Sequence, residues 1–331
     1  MNANVRGLRP EEIESVSDLV ARAYAEKRLG SDRVVRAINA DPEFDPELNR
    51  VVEVDGKLVA RLCIHDRMMY CDGGTLRVGA IGGVCTDPAY RGKGFCKILL
   101  NDATQFMKAK GFDVSLLFGA PAVYGTSGWQ TLVTYGIKAN LPIPITPGIT
   151  IKQATLSHDG DVLKSLYQQF NPSLTGPFVR SSEYWNCWIG NKLDVEDSWR
   201  IWLVYAKTEP IGYFIDRADH AGMVHEIAWS RQKDAALPCM VSAIAKQLGT
   251  SELRFQLFLP EIRDAILNGV NVLSLEDLGR QEYVFQITMR YSGLFKLINS
   301  KSKALGDVHD TAALLQFFRH RNYVFWGLDS F

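Results

Sequence analysis

Nowhere in the 331 residues does an uninterrupted apolar run approach the roughly 20 residues of a membrane-spanning helix. The segment after Met1 is polar and carries no signal core, so the expectation is a cytoplasmic protein with no membrane partner. Cysteine is sparse and scattered: Cys63, Cys71, Cys85, Cys96, Cys187 and Cys239 show none of the short paired spacings of zinc sites or disulfide frameworks. Reduced thiols fit that pattern. Cys63 and Cys71 are read as facing each other across a hairpin, as a pair of buried thiols. No histidine stands at ligand spacing from another or from cysteine, so no metal is expected, and His220 and His225 read as strand surface positions. An excess of either charge is also lacking. The 37 basic residues balance 37 acidic ones without a long basic block, which argues against nucleic acid as a main partner.

Apolar residues are ample at 47%, and the length suits two domains of ordinary size. The most informative stretch runs from Gly83 to Trp129. An apolar strand ends near Thr86, and Asp87-Pro88 breaks it. Arg91, Gly92, Lys93 and Gly94 follow, and then Ile98, Leu99, Ala103, Phe106 and Met107 recur at helical spacing. Glycines at a strand-to-helix junction let backbone N–H groups converge, and the helix dipole favours an anion there. With Arg91 and Lys93 adding full charges, a pyrophosphate is the expected guest. A P-loop is excluded because no Gly-Lys-Ser/Thr follows, and a dinucleotide fingerprint because the glycine spacing is wrong. A second strand from Phe112 to Phe118 leads to a turn at Gly119-Ala120-Pro121, then Tyr124 and Gly128-Trp129.

This stretch resembles the acetyl-CoA-binding core of the GNAT superfamily of N-acetyltransferases. That family's loop reads Arg or Gln, two residues, Gly, one residue, then Gly or Ala. The chain supplies Arg91, Gly92, Lys93, Gly94, Phe95 and Cys96, with Cys96 in place of the usual small final residue. Pro88, Ala89, Tyr90, Arg91 and Gly92 match the family's lead-in. The resemblance implies an acetyl-CoA co-substrate held by Val84, Cys85, Thr86, Arg91, Gly92, Lys93, Gly94, Phe95, Cys96 and Lys97, together with Gly119 and Ala120. The backbone of Val84–Thr86 would pair with the pantetheine arm. Tyr124, before a Gly-aromatic pair, would protonate the departing thiolate. Gly79, Gly82 and Gly83 within the strand independently favour a bulge or a close ligand.

Around this core, Val5 to Leu8 reads as a strand, and Pro10 opens a helix with Ile13, Val16, Leu19, Val20 and Ala23 on one face. Asp41, Glu43, Asp45 and Glu47 form either an acidic lip that draws a cationic amine or a solvated loop. Asp55-Gly56 joins the strands Val51–Val54 and Leu58–Arg67, and Gly73-Gly74 makes a second turn. Three prolines between Leu141 and Gly148 mark a domain boundary. Beyond it the plan repeats: a strand from Ile149, a helix to Phe170, a meander through Trp229, a helix through Met240 and Ile244, and a strand from Leu253. The corresponding junction, Arg231 to Ala236, has no glycine, so a single cofactor per chain is expected.

The fold expected is α/β with a mixed α+β sheet: two GNAT-like folds in tandem and a short C-terminal tail. Its parts are a catalytic domain over 1–140, a linker over 141–148, a degenerate second domain over 149–290 with a strand from Glu282 to Arg290, and a tail over 291–331 docking near the active site. Tandem halves with such a tail resemble the enhanced-intracellular-survival acetyltransferases with a shortened C-terminal region. In that family the terminal carboxylate enters the catalytic site, which makes the α-carboxylate of Phe331 a candidate base. The resemblance implies direct acetyl transfer to a primary amine, carried by a small molecule or a protein, and a homo-oligomer. A non-catalytic acyl-CoA-binding protein is the other class considered, and Tyr124 argues against it.

Overall fold

A computed structural model describes residues 3–25, 31–141, 148–195, 198–256, 259–269, 286–321, 323–326 and 329. The chain opens with β1 (Ala3–Gly7), α1 (Ile13–Ala23) and α2 (Ser31–Ala40). Val16, Leu19 and Val20 recur at helical spacing and bury one face of α1 against the sheet. β2 (Asn49–Val54), β3 (Lys57–Cys71) and β4 (Gly74–Thr86) form an antiparallel meander. Its two turns are set by Asp55-Gly56 and Asp72-Gly73, all four residues at positive φ, as tight hairpins require. Helix α3 (Phe95–Ala109) returns the chain to β5 (Val114–Leu117), which runs parallel to β4. The short α4 (Pro121–Tyr124) and β6 (Gln130–Asn140) complete the first half.

The second half repeats that order with β7 (Ile149–Ala154), α5 (Leu156–Phe170), a π-helical turn over Tyr184–Ile189, α6 (Gly190–Val195), and the meander β8 (Trp199–Ala206), β9 (Glu209–Arg217) and β10 (Met223–Trp229). Helix α7 (Leu237–Gln247) then leads to β11 (Glu252–Phe255), parallel to β10, followed by α8 (Pro260–Gly269). β12 (Gln286–Leu297) and α9 (Thr311–His320) close the chain. All strands join one mixed sheet in the order β1-β2-β3-β4-β5-β12-β6-β11-β10-β9-β8-β7. β6 bridges the halves by pairing with β11.

β12 lies between β5 and β6, antiparallel to both. The strand expected over Glu282–Arg290 therefore runs on to Leu297, and residues 294–297, expected in the tail, are ladder residues inside the first half's sheet. The reason is apolar burial: Leu294 and Phe295 are wholly buried, Phe295 under Phe318 and Tyr323. Cys63 and Cys71 also require correction, since both lie on β3 and no hairpin separates them. Of the linker, residues 142–147 lie outside the described residues, as does Phe331.

A second contact joins the halves beyond β2. The backbone of residues 176–179 pairs with the end of β3, with Tyr70 N–H donating to Pro177 O at 2.9 Å and Val179 N–H to Met68 O at 2.7 Å. Gly176, at φ +122°, is required here, because a Cβ would stand 1.9 Å from Val324 O. Behind it Arg180 donates two bonds of 2.8 Å to Glu226 and one of 2.8 Å to Asp329. All three side chains are buried, and Tyr213 and Tyr184 donate to the two carboxylates. Asp329 thus anchors the end of the chain to the second half's core.

Candidate active site

The site begins where β4 and β5 part. Their ladder covers Val78–Ile81 against Val114–Leu117, but β4 continues to Thr86 while β5 ends. A bulge sits at that point: Arg61 and Cys63 of β3 oppose Cys85 and Gly82, leaving an extra residue on β4. Gly83 is at φ +58°, and a Cβ there would meet Arg61 Nη1 at 3.2 Å. Backbone groups of Val84–Thr86 on the β5 side are left for a ligand. Tyr24, which sequence reasoning missed, donates from its hydroxyl to Val84 O at 2.6 Å and so occupies one carbonyl of this stretch. A tyrosine ending an amphipathic helix gives no signal of that contact.

The loop delivers the charge. Asp87 is buried, accepts from Ala89 N at 3.1 Å, and meets Arg22 and Lys57 at 3.2 and 3.3 Å. Burial alone would raise its carboxyl, but these bonds outweigh it and hold the group below the usual range. Gly92 and Gly94 follow at φ +77° and +80°, and a Cβ on either would meet nothing within 4 Å. Gly94 is the N-cap of α3, so the helix's first N–H groups open onto uncrowded space. Arg91 and Lys93 are exposed beside it, with Lys93 Nζ 4.7 Å from the centre of the Tyr90 ring and Arg91 donating to Ala23 O at 2.9 Å. Phe95 is buried under α3, Cys96 is half-buried against the same core, and Lys97 is exposed. The geometry suits an extended anion running from the α3 N-terminus into the β4–β5 gap.

Across the gap, Pro121 opens α4, and Tyr124 ends it half-buried against the core shared by Val84 and Cys96. Its ring lies over Gly119, where a Cβ would stand 2.2 Å from Tyr124 Cε2, so glycine is required there. Ala120 is the exposed N-cap of the turn. Lys296 of β12 pins the far end, donating to Ser127 O at 2.8 Å and lying 4.6 Å from the Trp129 ring centre. Burial lowers its ammonium pKa. Of the sequence-identified residues, Val84, Phe95, Cys96 and Tyr124 pack on one core, with Gly94 at the start of α3 and Gly119 under the Tyr124 ring.

Of the acids before β2, Asp41 is turned inward, while Glu43, Asp45 and Glu47 are exposed. Asp41 is buried and accepts from Arg67 Nη2 at 2.7 Å, with His65 Nδ1 at 2.8 Å. Asp45 caps the helical turn Pro46–Leu48, and Glu47 meets Arg50 at 3.3 Å. His225, expected on the surface, is buried and bonded to His220 and Gln256, because β10 lies inside the sheet. A separate cleft of about 470 Å³ lies between β7, β8, α5 and α6, remote in the fold from the loop.

Residues 4–132 match the family model described as the acetyltransferase (GNAT) domain. No curated protein matches the chain by sequence. Among solved structures, the fold is similar to that of a conserved protein of unknown function from Enterococcus faecalis V583, titled a probable N-acyltransferase. The TM-score is 0.68 at 14% identity, over 97% of this chain and 75% of that one. A GCN5-related N-acetyltransferase from Anabaena variabilis gives 0.65 at 16% identity, over 90% and 73%. Eis1 from Mycobacterium abscessus gives 0.62 at 13% identity, over 90% and 74%. Such identities speak for the fold alone, and the glycine loop and Val84–Thr86 fall within residues 4–132, the stretch that is similar to the acetyltransferase (GNAT) domain model.

Proposed function

We propose that the chain is an acetyl-CoA-dependent N-acetyltransferase that passes the acetyl group to a primary amine by direct attack in a ternary complex. The observation that carries this reading is the early end of the β4–β5 ladder beside a helix capped by Gly94. Gly92 and Gly94 leave room for a pyrophosphate, and Arg91 and Lys93 offset its charge. Acetyl-CoA supplies the acyl group as an activated thioester. Backbone groups of Val84–Thr86 hold the pantetheine arm and polarise the carbonyl oxygen. Tyr124 protonates the leaving sulfur. The carboxylate of Phe331, outside the described residues, or a water relay takes the proton of the amine.

The same reading divides the chain into a catalytic domain over 1–140, a linker over 141–148, a second domain over 149–290 that shapes the acceptor side, and a docked tail over 291–331. It resembles the tandem, enhanced-intracellular-survival type with a shortened C-terminal region. The acceptor is an amine on a small molecule or a protein, the protein works in the cytoplasm, and it forms a homo-oligomer. Among the described residues, no helix is long and apolar enough to cross a membrane. Calorimetric titration with acetyl-CoA, followed by thiol release over a panel of amines, tests the proposal. Binding with amine-dependent release is expected, and absence of binding would overturn it.

A further inference from the structure

β3 carries a second constellation, on the face turned away from α3. Side chains alternate along a strand, so Arg61, Cys63, His65 and Arg67 share a face while Leu62 and Ile64 join the core under α3. His65 Nδ1 is 2.8 Å from Asp41 Oδ2, and Arg67 donates to the same oxygen at 2.7 Å. Cys63 precedes His65 by two residues on the same face of β3, and Asp41 at Nδ1 leaves Nε2 as the ring's other nitrogen. A thiol, an imidazole and an orienting carboxylate stand in the order that activates a nucleophile. The edge of Trp188, 5.4 Å away between ring centres, holds the His65 ring in place.

Two buried donors stand beside this row. Asn49 lies directly across from Cys63 in the β2–β3 ladder, and Arg61 Nη2 donates to its Oδ1 at 2.7 Å. Asn49 Nδ2 and Arg61 Nε have no hydrogen-bond partner among the described residues. Asn49 is wholly buried and Arg61 is 5% exposed. A buried donor without a partner is costly to keep, and a bound acceptor would relieve it. Two guanidinium groups, Arg61 and Arg67, make the cluster a host for developing negative charge and not for a metal cation. Burial alone would raise the Cys63 thiol, but His65 and then Arg61 outweigh it and lower the pKa, with Asp41 opposing them. Across the other ladder Cys63 faces Gly82, the residue before the bulge and Val84–Thr86.

We infer that Cys63 is a second acyl acceptor in this site, activated by His65 and Asp41, with Asn49 Nδ2 and Arg61 Nε as donors to the carbonyl oxygen. The chain thereby carries a thioester-exchange activity beside amine transfer. His65 takes the thiol proton, Cys63 sulfur bonds to the acyl carbon, and the carbon–sulfur bond to CoA breaks. The departing thiolate recovers the proton from His65. Water or an amine then attacks the Cys63 thioester, giving the acid or the amide and restoring the thiol. No oxidant or reductant is needed. The inference rests on the reading that acyl-CoA lies along Val84–Thr86.

The test incubates the full chain with acetyl-CoA and no amine, quenches in acid, and maps acetylated peptides by mass. Acetylation confined to Cys63 is expected, absent in Cys63→Ala and slowed about 100-fold in His65→Gln. A parallel arm replaces acetyl-CoA with S-acetyl-N-acetylcysteamine, a small thioester that makes no use of the glycine loop. Labelling of Cys63 by the small donor alone, without calorimetric binding of acetyl-CoA, would support the nucleophile and overturn the cofactor reading. Binding of acetyl-CoA with no adduct from either donor would overturn the inference and leave the cofactor reading standing. Iodoacetamide labelling of the unaltered chain guards against misfolded variants: Cys63 must react faster than Cys85, whose thiol burial pushes up to about 11. Equal or slower reaction would overturn the inference.

Discussion

The two halves share a topology, and each leads from the third strand of a meander into a helix through a basic loop. In the first half that junction is Arg91 to Gly94, with two glycines in the left-handed region, open space at both, and basic side chains on the surface. In the second it is Arg231 to Ala236. There Arg231 is paired with Glu261 at 2.8 Å, Lys233 with Glu209 at 2.9 Å, and Asp234 accepts from Trp229 Nε1 at 2.7 Å. The parallel ladder is short in both halves, since β10 and β11 share only the pairs Met223–Arg254 and Val224–Phe255. An opening between strands therefore does not make an anion site. Glycine with basic side chains at the surface does, whereas in the second half the basic residues are paired with Glu261 and Glu209 and an acid, Asp234, stands in the loop.

The largest expected effect breaks the second half. Arg180→Met leaves Glu226 and Asp329 buried without their cation, so thermal melts should show a loss of about 3–5 kcal/mol. Gly94→Trp comes next, filling the cradle and forcing a side chain into the left-handed region. Calorimetry should record a loss of acetyl-CoA affinity of about 1,000-fold, equivalent to about 4 kcal/mol. Tyr124→Phe should bind acetyl-CoA normally and lose about 100-fold in kcat, and full activity would remove Tyr124 from the mechanism.

A smaller effect separates the halves by pH. Burial would raise the Asp41 carboxyl, but His65 and Arg67 outweigh it and hold the folded group below its usual range. Its contribution to stability is complete above the unfolded value of about 3.9 and is lost as pH falls through the lower folded value. At Glu226 burial outweighs Arg180, so the folded pKa is raised. That group's contribution declines as pH rises from the ordinary carboxylate range through its folded value. Urea melts across the acid range should show a flatter acid limb for Asp41→Asn than for the unaltered chain. The smallest effect sharpens the contrast between junctions: Arg231→Ala and Lys233→Ala should leave acetyl-CoA affinity within about twofold, where Arg91→Ala and Lys93→Ala each reduce it several-fold.

The first half's core elements were legible because their signals are local. Two Asp-Gly turns fix β2 to β4, the second at Asp72-Gly73, one residue before the expected Gly73-Gly74, and the glycine spacing with Asp87-Pro88 fixes the junction to α3. The place of β12 was not legible, because its partners lie 148–183 residues upstream and only long-range packing of Leu294 and Phe295 selects them. The Asp41–His65 bond was hidden for a related reason. Asp41 sits in a proline-broken polar stretch that reads as solvent-facing. The alternation Cys63, His65 beside the glycine-rich β4 was the available sign that a thiol has an imidazole companion.

The position of β12 has a consequence for how the chain is made. During synthesis, β5 and β6 emerge early and wait as bare strand edges while the whole second half follows. Their shared neighbour, Gln286–Leu297, is made only after the second half. Until then the nascent first half has a slot in its sheet, vulnerable to pairing with another chain. A message cut short after α8 would release a protein with its glycine loop complete and its sheet unclosed. Such a product is expected to aggregate, so β12 ties closure of the first half's sheet to synthesis of the second half.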